Sequence, residues 1–124
     1  MPVDTLTITL GLPPRPLSPN ARNHWATKAA AVKRYRAAAW AFAKAAIGKR
    51  PAPRWTSATA KARFWFPDRR RRDRDNLQAS LKAAFDGIAD AGVVANDVGL
   101  VHLPVEIDID RDNPRVEITV VGID

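Results

Sequence analysis

In the stretch Arg69-Arg70-Arg71-Arg72-Asp73-Arg74-Asp75-Asn76, two carboxylates stand two residues apart, directly behind four consecutive arginines. Acids this close can converge on a hard divalent cation, Mg²⁺ above all, which takes one or two carboxylates and keeps several of its waters. Mn²⁺ shares that preference for oxygen and can substitute. Guanidinium groups grip phosphate oxygens in bidentate fashion, and an acidic centre beside a basic track is what metal-assisted hydrolysis of a nucleic-acid backbone requires. The same residues could instead be a structural cluster in which the arginines simply neutralise the aspartates.

The elements that must position this stretch can be read from hydrophobic period and punctuation. Leu6, Ile8, Leu10 and Leu12 alternate with small and polar residues, the period of a half-buried strand, and a loop rich in proline from Pro13 to Asn20 ends it. From Trp25 to Ile47 the chain is rich in alanine and lacks Gly and Pro; Val32, Tyr35, Ala39, Phe42, Ala43 and Ala46 recur at helical spacing, with Asn23 a good cap and Gly48 a stop. A second strand places Ala58, Ala60, Ala62, Phe64 and Phe66 on one face, and a second helix runs from the acid pair to about Ala91, closed by Gly92. Two more strands are expected at about 100–110 and 116–121, forming a hairpin around Arg111-Asp112-Asn113-Pro114. The order β-α-β-α-β-β, without repeat or linker, predicts a single α+β domain over residues 1–124, a small mixed sheet packed by two helices.

Projection of the second helix at about 100° per residue puts Leu77, Leu81, Ala84, Phe85 and Ile88 toward the core, with Asp75, Lys82 and Asp86 together on the opposite side. Lys82 could lean back to stabilise charge on a phosphate, or could be a solvated partner of Asp86 four residues on. A metal cage needs a third acid. Asp97 is the best candidate, in a turn that can fold back toward the second helix only if the next strand pairs beside strand two; Asp86, Asp90, Asp108, Asp110 and Asp112 are weaker candidates. Trp25 fits core or a dimer interface better than a base-stacking platform.

Twenty Lys and Arg against 13 Asp and Glu give a formal charge of +7, which favours a polyanionic partner. Lys28, Lys33 and Arg34 on the first helix, with Arg69, Arg70, Arg71, Arg72, Arg74 and Asn76, are the candidate DNA contacts. Cysteine is absent, so disulfides, thiolate zinc sites and cysteine nucleophiles are excluded. His24 and His102 have no ligand spacing, no serine carries an activated-nucleophile signature, and no Gly-rich phosphate loop points to a nucleotide cofactor. No signal peptide and no run long enough to span a bilayer are evident, so a cytoplasmic protein away from the membrane is expected.

The string Arg72-Asp73-Arg74-Asp75-Asn76-Leu77, then a helix ending Asp90-Ala91-Gly92-Val93-Val94 and the turn Asn96-Asp97, resembles the RusA family of Holliday-junction resolvases, often encoded by phages and prophages. Pro19-Asn20, His24-Trp25, Lys33 and Arg36 are similar to that family's opening loop and first helix. The resemblance implies a homodimeric, Mg²⁺-dependent endonuclease that makes paired nicks in four-way DNA junctions during recombination and repair, with Asp73, Asp75 and Asp97 as its catalytic acids. Two departures stand out: Asn96 replaces one acid of the usual Asp-Asp turn, and Ala79 stands where some members carry an important lysine, a role that Lys82 could take over. The competing expectation is a basic junction-binding protein with weak or no catalysis; a third is a structural partner whose charges are merely solvated.

Overall fold

Three rows of apolar side chains across neighbouring strands form the centre of the molecule. The computed structural model describes residues 4–22 and 24–123, Asp97 through its backbone alone. Strand β1 (Thr5–Leu10) pairs antiparallel with β5 (Arg115–Gly122), and β5 pairs antiparallel with β2 (Ala58–Phe66). Their registers align Leu6 with Val120 and Ala60, Ile8 with Ile118 and Ala62, and Leu10 with Val116 and Phe64. All nine of these side chains are buried. Burial of each larger one contributes on the order of 1.5–3 kcal/mol. On the far side of β2 lie two short parallel strands, β3 (Leu100–His102) and β4 (Glu106–Ile109).

The mixed five-stranded sheet and α+β class agree with expectation, but the pairing differs in two respects. The strand expected over 100–110 is split: Pro104 has no amide to donate, and pairing with β2 stops after Leu103 and resumes at Glu106. The last two strands do not form a hairpin, because β4 and β5 flank β2 on opposite sides. Turn chemistry around Asp110–Pro114 marked the reversal, and Asp110 does accept from the amides of Asp112 and Asn113. Which strand each arm then joins is decided by the central strand, not by the turn.

Helix α1 (Trp25–Ile47) has the expected bounds. Gly48, at φ 67°, stops it and donates its N–H to the Lys44 carbonyl. Its cap is His24, whose Nδ1 accepts from the Ala26 amide at 3.2 Å; Asn23, the expected cap, lies outside the described residues. Ala31, Tyr35, Ala39, Ala43 and Ile47 form the buried face. Phe42, expected in the core, is instead 52% exposed, and Trp25 is 75% exposed, so neither is core within this chain. The burial stripe follows Ala39 and Ala43, whose small side chains let another helix approach closely.

That helix is the second half of what the periodicity predicts as one. Helix α2 (Arg74–Ser80) ends where the Ser80 hydroxyl donates to the Leu77 carbonyl and Leu81 tightens to the Gln78 carbonyl, and helix α3 (Lys82–Asp90) begins immediately after. Leu81, Ala84, Phe85 and Ile88 are buried and Leu77 partly so, as the projection predicts. Gly92, at φ 87°, closes α3. No helix among the described residues is long and apolar enough to cross a membrane.

Candidate active site

Helix α2 begins at the acid pair because Asp73 caps it. Asp73 Oδ1 accepts from the backbone N–H groups of Asp75 (2.8 Å) and Asn76 (3.2 Å), satisfying amides that the helix start leaves without partners. Asp75 sits in the first turn, exposed, where the helix dipole favours a negative charge. Arg71, Arg72, Asp73, Arg74 and Asp75 line one open depression.

The ion pairs decide between a salt-bridged cluster and a free acidic centre. Asp68, not Asp73 or Asp75, takes the neighbouring guanidinium groups: Arg72 at 2.9 Å and Arg70 at 3.7 Å. The Arg70 amide, then Arg72, hold the Asp68 carboxyl below the usual carboxylate range. Arg72 also lies 3.8 Å over the Phe66 ring and donates to the carbonyls of Asp68 and Arg70, so its side chain is only 16% exposed. It shapes the loop rather than standing free for phosphate. Among the described residues, Asp73 and Asp75 enter no ion pair, and neither do Arg69, Arg71 and Arg74.

The weaker acidic candidates are mostly occupied. Asp90 accepts both Nε and Nη2 of Arg36 at 2.6 and 2.9 Å, a fork that joins α3 to α1 and holds the Asp90 carboxyl below its ordinary range. Asp108 binds Arg63 at 2.7 Å, Asp110 binds Arg115 at 2.8 Å, and Asp86 lies 3.4 Å from Lys82. Between Asp75 and Lys82 the helix is interrupted at Leu81, although its buried face continues from Leu77 to Ile88. Lys82 stands at the head of α3, paired with Asp86, its side chain 79% exposed.

The condition set for Asp97 is met in the backbone: β3, which follows it, pairs beside β2. Asp97 opens a short 3-10 turn, residues 97–99, and Asn96 caps that turn by accepting the Val98 amide on its side-chain oxygen at 3.1 Å. An aspartate at 96 could cap in the same way, so the amide preserves the geometry while removing a charge. The Asp97 side chain lies outside the described residues. Among those described, no three His, Asp or Glu side chains cluster to hold a metal. The donor chemistry of Asp73 and Asp75, two carboxylates without cationic partners among the described residues, fits a hard divalent ion.

Lys28, Lys33 and Arg34 are exposed along α1 and, among the described residues, also enter no ion pair. On the open face of the sheet the cations are matched instead: Lys61 with Glu106, Arg63 with Asp108, and Trp65 flanked by Arg63 and Arg115. Cations without an ion-pair partner among the described residues therefore include Arg69, Arg71 and Arg74 around the start of α2 and Lys28, Lys33 and Arg34 on α1.

Sequence reasoning missed Gln78 and His102. Gln78 Nε2 lies 3.2 Å from His102 Nδ1, and the His102 ring meets Phe85 edge-on at 4.5 Å between centroids. The available signal was Gln78 at three residues past Asp75, on the same side of α2. Burial lowers the His102 pKa from its ordinary 6.5. The unfolded chain thus takes up this proton at a higher pH than the folded one, and stability falls as pH drops below about 6.5. Thermal melts of wild type and His102→Phe between pH 5 and 7.5 should show the wild type losing stability toward acid with the steeper slope; parallel curves would refute it.

The fold is thus a basic α+β domain in which, among the described residues, an acid pair without ion-pair partners stands at a helix start. Residues 13–121 match the family described as endodeoxyribonuclease RusA, and the chain belongs to that family. Members are generally metal-dependent nucleases of branched DNA. An uncharacterized protein of Xylella fastidiosa (strain Temecula1 / ATCC 700964) is 34% identical over 125 residues, covering 94% of this chain and 76% of that relative.

Proposed function

We propose that the chain, residues 1–124, is one metal-dependent endonuclease domain that resolves four-way DNA junctions by paired phosphodiester hydrolysis. The observation that carries this is that, among the described residues, Asp73 and Asp75 have no cationic partner in a loop crowded with arginines. In a merely structural cluster the guanidinium groups would have closed on Asp73 and Asp75; here Arg70 and Arg72 close on Asp68. Asp73, through the oxygen not used for capping, Asp75 and Asp97 would hold Mg²⁺ or Mn²⁺. A cation held there supplies a hydroxide nucleophile and charge compensation at the phosphate.

Arg69, Arg71 and Arg74 bind the flanking phosphates, with Arg70 loosely paired beside them and Asn76 at the helix start. Lys28, Lys33 and Arg34 extend the grip along the branched substrate, and a second copy of the chain supplies the symmetry-related cut. Lys82 is held by Asp86 only through an exposed pair, worth little in water, and is free to meet charge developing on the phosphate. The rival reading, junction binding without cleavage, draws on Ala79 and Asn96. A synthetic four-way junction should be nicked symmetrically with Mg²⁺ and left intact with EDTA; intact DNA under both conditions, with binding retained, would select the rival.

A further inference from the structure

Beside the acid pair, α2 and the break between β3 and β4 enclose an open groove of about 340 Å³, lined by Arg74, Asp75, Gln78, His102, Pro104 and Val105 among others. It differs from the arginine-lined depression in having one apolar wall and one polar pair that is itself ordered. The Gln78 amide nitrogen can only donate, so His102 Nδ1 accepts and the ring proton resides on Nε2. Phe85 packs edge-on against the ring and fixes its plane. Gln78 then retains its carbonyl oxygen and one N–H, and His102 presents its Nε2–H. Together they offer two donors and an acceptor held in fixed relation at the groove wall.

Fixed donors and acceptors of this kind discriminate base edges, whereas arginines on phosphate do not. Leu103 and Pro104 supply apolar surface for a sugar or base, and Arg74 supplies a charge for the adjoining phosphate. We infer that this groove is the subsite for the nucleotide next to the scissile phosphate, and that Gln78 and His102 act as a pair that sets which junction core sequences are bound and cut. This rests on the nuclease reading above for the position of the scissile phosphate. The existence of the subsite is testable without cleavage.

The experiment measures binding of a panel of four-way junctions differing only in core sequence, in EDTA, for wild type, Gln78→Ala and His102→Phe; the phenyl ring keeps the packing on Phe85. Wild type should separate its best and worst cores by about tenfold, the discrimination of one good side-chain–base contact. Both variants should collapse that ratio to about twofold without weakening binding to the worst core. Nick positions in Mg²⁺ should flatten in parallel. Variants that keep the wild-type ratio, or a wild type with no preference, overturn the inference. If His102→Phe fails to fold, Gln78→Ala at its half-exposed position decides alone. A wild type that discriminates cores in EDTA but never nicks them in Mg²⁺ supports the subsite and defeats the nuclease reading.

Discussion

Asp75→Asn should reduce Mg²⁺-dependent nicking of a four-way junction by at least about a hundred- to a thousandfold, the scale of losing one preorganised charge-stabilising group. Junction binding in EDTA should be unchanged or tighter. The expectation follows from what Asp75 does not do in the fold: it caps nothing, enters no ion pair among the described residues and is exposed in the first turn of α2. Its removal therefore costs the helix only a favourable dipole interaction, about 0.3–1 kcal/mol at most, and a circular-dichroism melt should stay close to wild type. Loss of negative charge beside Arg71 and Arg74 lowers repulsion of the phosphate backbone, hence the direction for binding. Asp73 provides an internal comparison. Asn is as good a cap as Asp, so Asp73→Asn should keep the helix start while losing activity, whereas Asp73→Ala loses both. Cleavage at the wild-type rate by Asp75→Asn would remove the carboxylate from the chemistry altogether.

How far the sequence reveals this site depends on which interactions are local. The bounds of α1, the stops at Gly48 and Gly92, and the inward faces of β1 and β2 all follow from period and backbone freedom over a few residues, and the structure agrees with each. The acid pair was legible for the same reason, since cap and metal-ligand chemistry act over two or three positions. What was not legible is set by partners distant in sequence. Phe42 fits the helical stripe by type, but its exposure depends on what packs beside α1. At the break at Leu81 the buried Ser80 hydroxyl donates to the Leu77 carbonyl, and that burial is set by the packing of the helix rather than by its period. The insertion of β5 between β1 and β2, and the meeting of Gln78 with His102 across 24 positions, require the sheet to exist first. So does the sorting of the aspartates: whether an acid near arginines is neutralised or left free for a cation cannot be settled by counting charges.

Gly87→Ala should be strongly destabilising, with a loss on the order of 3 kcal/mol, at the upper end of what overpacking costs in a close-packed interior. A Cβ at Gly87 would stand 2.2 Å from the carbonyl oxygen of Arg36, with Ala39 Cβ and the Trp40 nitrogen each at 3.0 Å. The nearest obstacle is helix backbone, which cannot turn aside as a side-chain tip can, so α1 and α3 must move apart. Helix propensity points the other way, since Ala is favoured over Gly by about 1 kcal/mol in a helix interior. The sign of the result therefore tests the close crossing directly. Separation would strain the Arg36–Asp90 fork and loosen the packing of Phe85 and Ile88, and through Phe85 the His102 ring in the groove beside Asp75. At roughly 3–6 °C per kcal/mol for a domain of this size, the melting temperature should fall by about 10–15 °C, with nicking reduced less than by Asp75→Asn at temperatures where the variant stays folded. A melting temperature equal to or above wild type would mean that the two helices do not approach as closely as Gly87 requires.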